Sequence, residues 1–202
     1  MLSSTSPVYH PVRFLDRLEG NNHVVMLYDD EKNADLMIAR YFQNGLNKGD
    51  SCVFLTDGDT RPVEGRLASE DIDVYRYVEE NKLRVFGTRS MAVVGTDVLR
   101  AQKAITAEST KGKPPFRLAG RAIPDIESVN GMLQGMQLET TGQERLSEFG
   151  ISLLCFYDVR KLEGSRRDER VRGLLENHRQ EIYASDPGKA VGFETSLLEE
   201  EG

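Results

Sequence analysis

Apolar residues fall along this chain in two rhythms that take turns. Short unbroken runs occur at His23-Val24-Val25-Met26-Leu27-Tyr28, Cys52-Val53-Phe54-Leu55, Leu83-Arg84-Val85-Phe86, Phe116-Arg117-Leu118-Ala119 and Ile151-Ser152-Leu153-Leu154-Cys155-Phe156-Tyr157. Between them, apolar positions recur three and four apart. One such set is Ala34, Met37, Ile38, Tyr41, Phe42 and Gly45, and another is Val94, Val98, Leu99 and Ile105. Met132, Met136, Leu138, Leu146 and Phe149 form a third, and Val171, Leu174, Leu175 and His178 a fourth. A continuous β-favouring run suits a strand covered on both faces, and the three-four spacing is the stripe of a helix that buries one side.

Turn chemistry sets the boundaries. The segment Tyr41 to Gly58 reads as a helix end, a turn and a strand: Gly49 can take positive φ beyond the last turn, and Lys48 suits the helix C-terminus. Asp30 is the N-cap candidate for the helix that runs to Leu46. Val12, Phe14, Leu15 and Leu18 predict a short helix in a polar lead over 1–20. Further helices are expected over Arg61–Ser69 and Ile72–Val78, and from Met91 to Glu108. A helix is expected from Ile126 to Phe149, with Thr140-Thr141-Gly142 as a place where it could divide. Glu181-Ile182-Tyr183 reads as a short edge strand, and an acidic tail over 186–202 is expected to fray.

Strand and helix in alternation, with crossovers of helical length, imply one α/β domain over 21–185: a three-layer α/β/α sandwich with a mostly parallel sheet. Such sheets place binding sites outside the carboxyl ends of their strands. The residues there are Tyr28 and Asp29, Thr56 and Asp57, Gly87 and Thr88, Gly120 and Arg121, and Tyr157 and Asp158.

Composition narrows the functional classes. The 202 residues are 39% hydrophobic and 29% charged, which describes a folded domain, and the formal net charge of -7 speaks against a direct nucleic-acid or anionic-membrane partner. The one basic concentration, Arg160-Lys161 with Arg166, Arg167, Arg170 and Arg172, is interleaved with Glu163, Asp168 and Glu169 and reads as a solvated or partner-docking face. No signal peptide or long apolar segment is apparent, so a cytoplasmic protein is expected. Cys52 and Cys155 both sit in strand-like runs and are expected as buried thiols. The three histidines are scattered, so no metal site or cofactor is expected from spacing.

The chemistry is suggestive at few places. A phosphate loop would fall between the first strand and its helix, where the chain reads Tyr28-Asp29-Asp30-Glu31-Lys32-Asn33-Ala34-Asp35, with no glycine and an excess of acid. Tyr28-Asp29 and Tyr157-Asp158 repeat one pattern, either core-closing tyrosines with turn aspartates or a pocket with aromatic walls and two acceptors. Arg121 could pair with Asp29, Asp158 or Glu127, or hold an anion. His23 could satisfy a backbone group at the sheet edge or contact a ligand, and His178 is a helix-packing or capping histidine before it is a catalytic one. No catalytic triad or serine elbow is present.

His23 to Tyr28, Tyr41 to Thr56, Leu154 to Asp158 and Leu174 to His178 together resemble the MEDS domain, the sensory domain of methanogen and methylotroph proteins that include the DcmR regulator. The resemblance spans roughly His23 to Tyr183. Phe42, Gly45, Leu46, Gly49 and Asp50 are also similar to the corresponding piece of KaiC-type RecA-like ATPases. The resemblance implies a RecA/KaiC-like fold without a phosphate loop and a non-catalytic sensory role. His23, Tyr28, Tyr157 and His178 are the matching positions for a shared site. The expected ligand set is His23, Tyr28, Asp29, Thr56, Arg121, Tyr157, Asp158 and His178, around a small molecule or a partner protein. A histidine kinase or response regulator is the implied partner, and a homodimer the expected way to pass a signal from a chain with no kinase or DNA-binding segment. A degenerate nucleotide-binding protein or ATPase, and a ligand-free interaction subunit, are the alternatives.

Overall fold

The computed structural model describes residues 11–18, 21–56, 58–87, 98–121, 129–162, 167–185 and 191–194. In chain order the elements are α1 (Pro11–Arg17), β1 (His23–Tyr28), α2 (Glu31–Lys48), β2 (Ser51–Thr56), α3 (Thr60–Ser69), α4 (Val74–Glu79) and β3 (Leu83–Gly87). Then follow α5 (Val98–Ser109), β4 (Phe116–Gly120), α6 (Val129–Phe149), β5 (Ile151–Asp158), a 3-10 turn (Val159–Leu162), α7 (Arg167–Glu176), β6 (Gln180–Ala184) and β7 (Val191–Glu194). The strands form one sheet in the order β3-β2-β4-β5-β1-β6-β7. Every pairing from β3 across to β6 is parallel, and β7 runs antiparallel on β6.

Because side chains alternate along a strand, each strand feeds two cores. Val24, Met26, Tyr28, Cys52, Phe54, Leu154 and Phe156 pack with residues of α1, α2 and α3 on one face. Val25, Leu27, Val53, Leu55, Leu118, Cys155 and Tyr157 pack on the other, against Ile105 of α5, Met132 and Met136 of α6, and Leu174 of α7. This is the three-layer arrangement that the unbroken apolar runs demand. Among the described residues no helix is long and apolar enough to cross a membrane.

The start of α2 forms as its sequence dictates. Asp30 holds an extended backbone and its Oδ1 accepts from the amides of Lys32 (2.7 Å) and Asn33 (3.2 Å). At the other end Gly49 sits at φ 88°, and the amides of Gly49 and Asp50 close on the carbonyls of Leu46 (3.1 Å) and Gly45 (2.9 Å). That turn aims Asp50 into the core, where its Oδ2 accepts from Arg117 Nε at 2.6 Å. The guanidinium also donates to the Tyr41 carbonyl (3.3 Å) and lies 5.1 Å from the Tyr41 ring centre. Gly45 leaves room for it: a Cβ there would stand 2.3 Å from Arg117 Cδ.

The structure departs from the sequence expectation in four places. α6 is one unbroken helix, because the Thr140 hydroxyl lies 3.0 Å from the Met136 carbonyl and is satisfied along the helix instead of ending it. β6 is an interior strand, flanked by β1 and by β7. β7 itself was not anticipated, since four residues near an acidic tail carry too little pattern to read as a strand. His178 lies beyond the end of α7, which stops at Glu176. The part of the predicted fifth helix before Val98, together with Asp57, Thr88, Glu127 and Arg166, lies outside the described residues.

The Asp50–Arg117 pair is buried, so removing one partner strands the other charge. Asp50→Ala is expected to cost about 3–5 kcal/mol in urea unfolding, whereas Asp50→Leu combined with Arg117→Met should cost less than either change alone. Additive losses in that double-mutant cycle would contradict the pairing.

Candidate functional site

In parallel strands, residues in register point to the same face. His23 aligns with Leu153, Val25 with Cys155 and Leu27 with Tyr157, so His23, Cys155 and Tyr157 all project toward the α6 side. α6 lays Glu139 over them, with 1% of its surface exposed. The fifth group arrives from the turn between α7 and β6. His178 Nδ1 lies 2.6 Å from the Leu174 carbonyl, so it donates there and caps the last turn of α7, leaving Nε2 as the ring's lone-pair nitrogen. Asn177 next to it donates to the Gly173 carbonyl at 2.8 Å, and Thr140 Oγ1 of α6 approaches Asn177 Oδ1 at 2.8 Å. The turn is thereby pinned to both helices.

Glu139 is the hub. Its Oε1 accepts the Tyr157 hydroxyl at 2.6 Å. Its Oε2 lies 3.1 Å from His23 Nε2, 3.5 Å from Cys155 Sγ and 3.6 Å from His178 Nε2. Cys155 Sγ and His23 Nε2 are 3.5 Å apart, and the two imidazole centres are 4.0 Å apart at 46°. One ring nitrogen each of His23 and His178, Cys155 Sγ and a Glu139 oxygen all lie within 4.8 Å of one another, close enough to share a cation.

The electrostatics follow from burial and partners. Burial alone would raise the Glu139 carboxyl, but the His178 and His23 imidazoles and the Tyr157 hydroxyl outweigh it and hold the group far below the usual carboxylate range. Burial pushes His178 down, to about 4, against the pull of Glu139. These shifts oppose each other, because a neutral His178 supplies less of the charge that lowers Glu139. The hydrogen bonds from Tyr157 and His23 do not need a protonated His178, and they keep Glu139 ionised.

The remaining sequence-predicted residues lie at the carboxyl-end rim. Tyr28 aligns with Asp158, one step beyond the Leu27–Tyr157 level, so the two tyrosines occupy opposite faces of the sheet and share no pocket. Asp158 is clamped by Arg160 in a two-pronged pair of 2.8 and 2.7 Å, which lowers its pKa. Arg121 lies 5.7 Å from the Phe156 ring centre and is close enough to act on the Tyr28 phenol, whose pKa burial raises. Asp29 stands half-buried beside them. Thr56 is apart, on a strand separated from β1 by β4 and β5, where its Oγ1 accepts the Gly58 amide at 3.2 Å.

The predicted set therefore divides into a buried group of His23, Tyr157 and His178 and a rim of Tyr28, Asp29, Arg121 and Asp158. Two members of the buried group were not in the set. The sequence marks Cys155 only as a buried thiol. Glu139 was missed altogether, although it carries a signal: it lies seven residues after Met132 and three after Met136, on the apolar stripe of α6 where a carboxylate does not belong.

A mostly parallel sheet in this strand order between helical layers is the RecA-like α/β class. A KaiC-like protein from the hyperthermophilic archaeon Pyrococcus horikoshii has a similar fold, with a TM-score of 0.62 at 18% identity over 83% of this chain and 74% of that one. Residues 22–179 match the model of MEDS, the MEthanogen/methylotroph, DcmR Sensory domain, and the chain belongs to that family. None of the curated proteins matches it. The matched span takes in the whole buried cluster.

Two buried groups on the α6 side tilt the pH profile in opposite directions. Folded His178 resists protonation down to about 4 while the unfolded chain takes the proton near 6.5, so stability is complete above 6.5 and falls toward 4. Burial raises Glu181 of β6 from 4.5 to about 7, so its contribution is lost as pH rises across that interval. Urea midpoints measured from pH 4 to 8 should lose the alkaline-side decline in Glu181→Gln and the acid-side decline in His178→Gln. Unchanged slopes in both variants would contradict these assignments.

Proposed function

We propose that this chain is a non-catalytic sensory domain that receives a small molecule or a partner protein at the carboxyl-end rim formed by Tyr28, Asp29, Arg121 and Asp158. The family match supports the sensory class. The observation that carries the reading is the start of α2. In a nucleotide-binding relative, amides at this helix start would cradle phosphate. Here the amides of Lys32 and Asn33 are taken by the Asp30 carboxylate, with Asp29 and Glu31 beside it. The N-terminal dipole is thus satisfied by the chain's own anion, and a polyphosphate would meet like charge.

The rim keeps cations next to aromatic surface. Arg121 beside Tyr28 and Phe156, and Arg160 held by Asp158, suit a small ligand carrying a carboxylate or a polar head on an apolar body. Seating such a ligand would favour one arrangement of the segments after Tyr28, Gly120 and Asp158. A second copy of the chain, a histidine kinase or a response regulator would read that arrangement across an interface.

Calorimetry of the full chain with ATP and magnesium tests the central negative. No binding at submillimolar ATP is expected, with no change in Asp29→Ala or Lys32→Ala. Submillimolar binding abolished by either substitution would replace the sensory reading with that of a degenerate nucleotide-binding protein.

A further inference from the structure

The buried cluster has a geometry that hydrogen bonding alone does not require. A four-coordinate transition-metal ion sits about 2.0–2.1 Å from imidazole nitrogen or carboxylate oxygen and about 2.3 Å from thiolate sulfur, which puts neighbouring ligand atoms of a tetrahedron about 3.3–3.8 Å apart. Measured from Glu139 Oε2, the other three donors stand at 3.1, 3.5 and 3.6 Å, and Cys155 Sγ stands 3.5 Å from His23 Nε2. These four separations lie at or just below the edges of such a tetrahedron, and one donor atom from each of the four residues falls within 4.8 Å of the others. The geometry points to a mononuclear transition-metal site in which His23 Nε2, Glu139 Oε2, Cys155 Sγ and His178 Nε2 bind one divalent ion.

Three further observations fit a metal centre. The donors are already oriented from behind: the Leu174 carbonyl fixes the His178 tautomer so that Nε2 faces the cluster, and the Tyr157 hydroxyl holds the far oxygen of Glu139. Outer partners of this kind are what position metal ligands and set their basicity. The charge also balances. A thiolate and a carboxylate together carry two negative charges, and a divalent ion neutralises both, so the filled site buries no net charge under α6. All four ligand residues are buried. Four protein ligands around a closed centre are the pattern of a structural or sensing metal more than of a hydrolytic one.

The donor set narrows the ion. Two imidazoles, one thiolate and one carboxylate suit the borderline ions zinc, cobalt and iron(II), and exclude calcium and magnesium, which take oxygen ligands. Binding releases the Cys155 proton to solvent, and His23, whose Nε2 hydrogen faces Glu139 in the metal-free cluster, gives up that hydrogen and takes one on Nδ1, so the imidazole stays neutral. The ligands come from β1, α6, β5 and the α7–β6 turn, so one ion would tie together four segments spread over most of the chain. The site goes beyond the rim reading and does not rest on it: calorimetry with ATP can fail while metal binding holds, and the reverse.

Cobalt(II) titration of the chelator-treated full chain tests the site. One equivalent should bind, with the intense visible bands of a four-coordinate ion and a thiolate-to-cobalt band in the near ultraviolet, both abolished by one equivalent of zinc. Cys155→Ser should lose the thiolate band. Tyr157→Phe leaves the four ligands in place and should weaken cobalt binding about 10–100-fold, as the loss of an outer partner does. Circular dichroism of each variant establishes that it is folded, and Tyr157→Phe serves where a ligand variant is not. A chain that folds after chelation and takes up no cobalt would overturn the assignment, as would stoichiometric binding with an unchanged thiolate band in Cys155→Ser. The cluster would then be a hydrogen-bonded ionic network and nothing more.

Discussion

The α6 side of this protein is organised around one carboxylate that should not be affordable there. Glu139 lies under α6 with 1% of its surface exposed, on the face of the helix that otherwise packs into the core. An isolated ion at that depth would cost several kcal/mol. It persists because the Tyr157 hydroxyl bonds its outer oxygen and the His23 imidazole and Cys155 thiol bond the inner one, with the His178 ring 3.6 Å away closing the cluster. The register of β1 against β5 aims three of those groups, and the end of α7 aims the fourth. An ordinary apolar residue at 139 would leave the rest of the cluster without its centre.

The second polar device lies on the opposite side of the sheet and has a different character. Asp50 and Arg117 are joined directly, and Gly45 leaves the space that the guanidinium fills. That pair fixes how α2 meets β2 and β4, and it uses two charges to satisfy each other. The Glu139 cluster brings an acid together with groups that can each bind a proton or a cation, so its state depends on what the surroundings supply. One is a fastener, whereas the other can respond.

Most of the architecture was legible in the residues. Unbroken apolar runs announce strands covered on both sides, three-four spacing announces the helices, and Asp30 and Gly49 mark the two ends of α2 as their chemistry requires. The strand near the C-terminus was not legible, because a four-residue strand paired at one edge carries almost no periodic signal. The candidate site was half legible. His23, Tyr157 and His178 were named, but spacing alone could not say that histidines 155 residues apart in sequence meet at a ring distance of 4.0 Å. Strand register decides this, and register is a property of the whole sheet. The same register places Tyr28 and Tyr157 on opposite faces, although the Tyr-Asp repeat suggests one shared pocket. Glu139 was overlooked because an acid on a methionine stripe reads as an interruption of the apolar face, when it is that face's functional member.

His178 is held in the folded core by the bond from its Nδ1 to the Leu174 carbonyl, so its imidazole proton stays on the side away from Glu139. Nitrogen-15 NMR of histidine-labelled protein reads this directly. His178 is expected to hold its proton on Nδ1, leave Nε2 unprotonated, and show no titration between about pH 5 and 8. A proton on Nε2, or an ordinary titration with a midpoint near about 6.5, would contradict it.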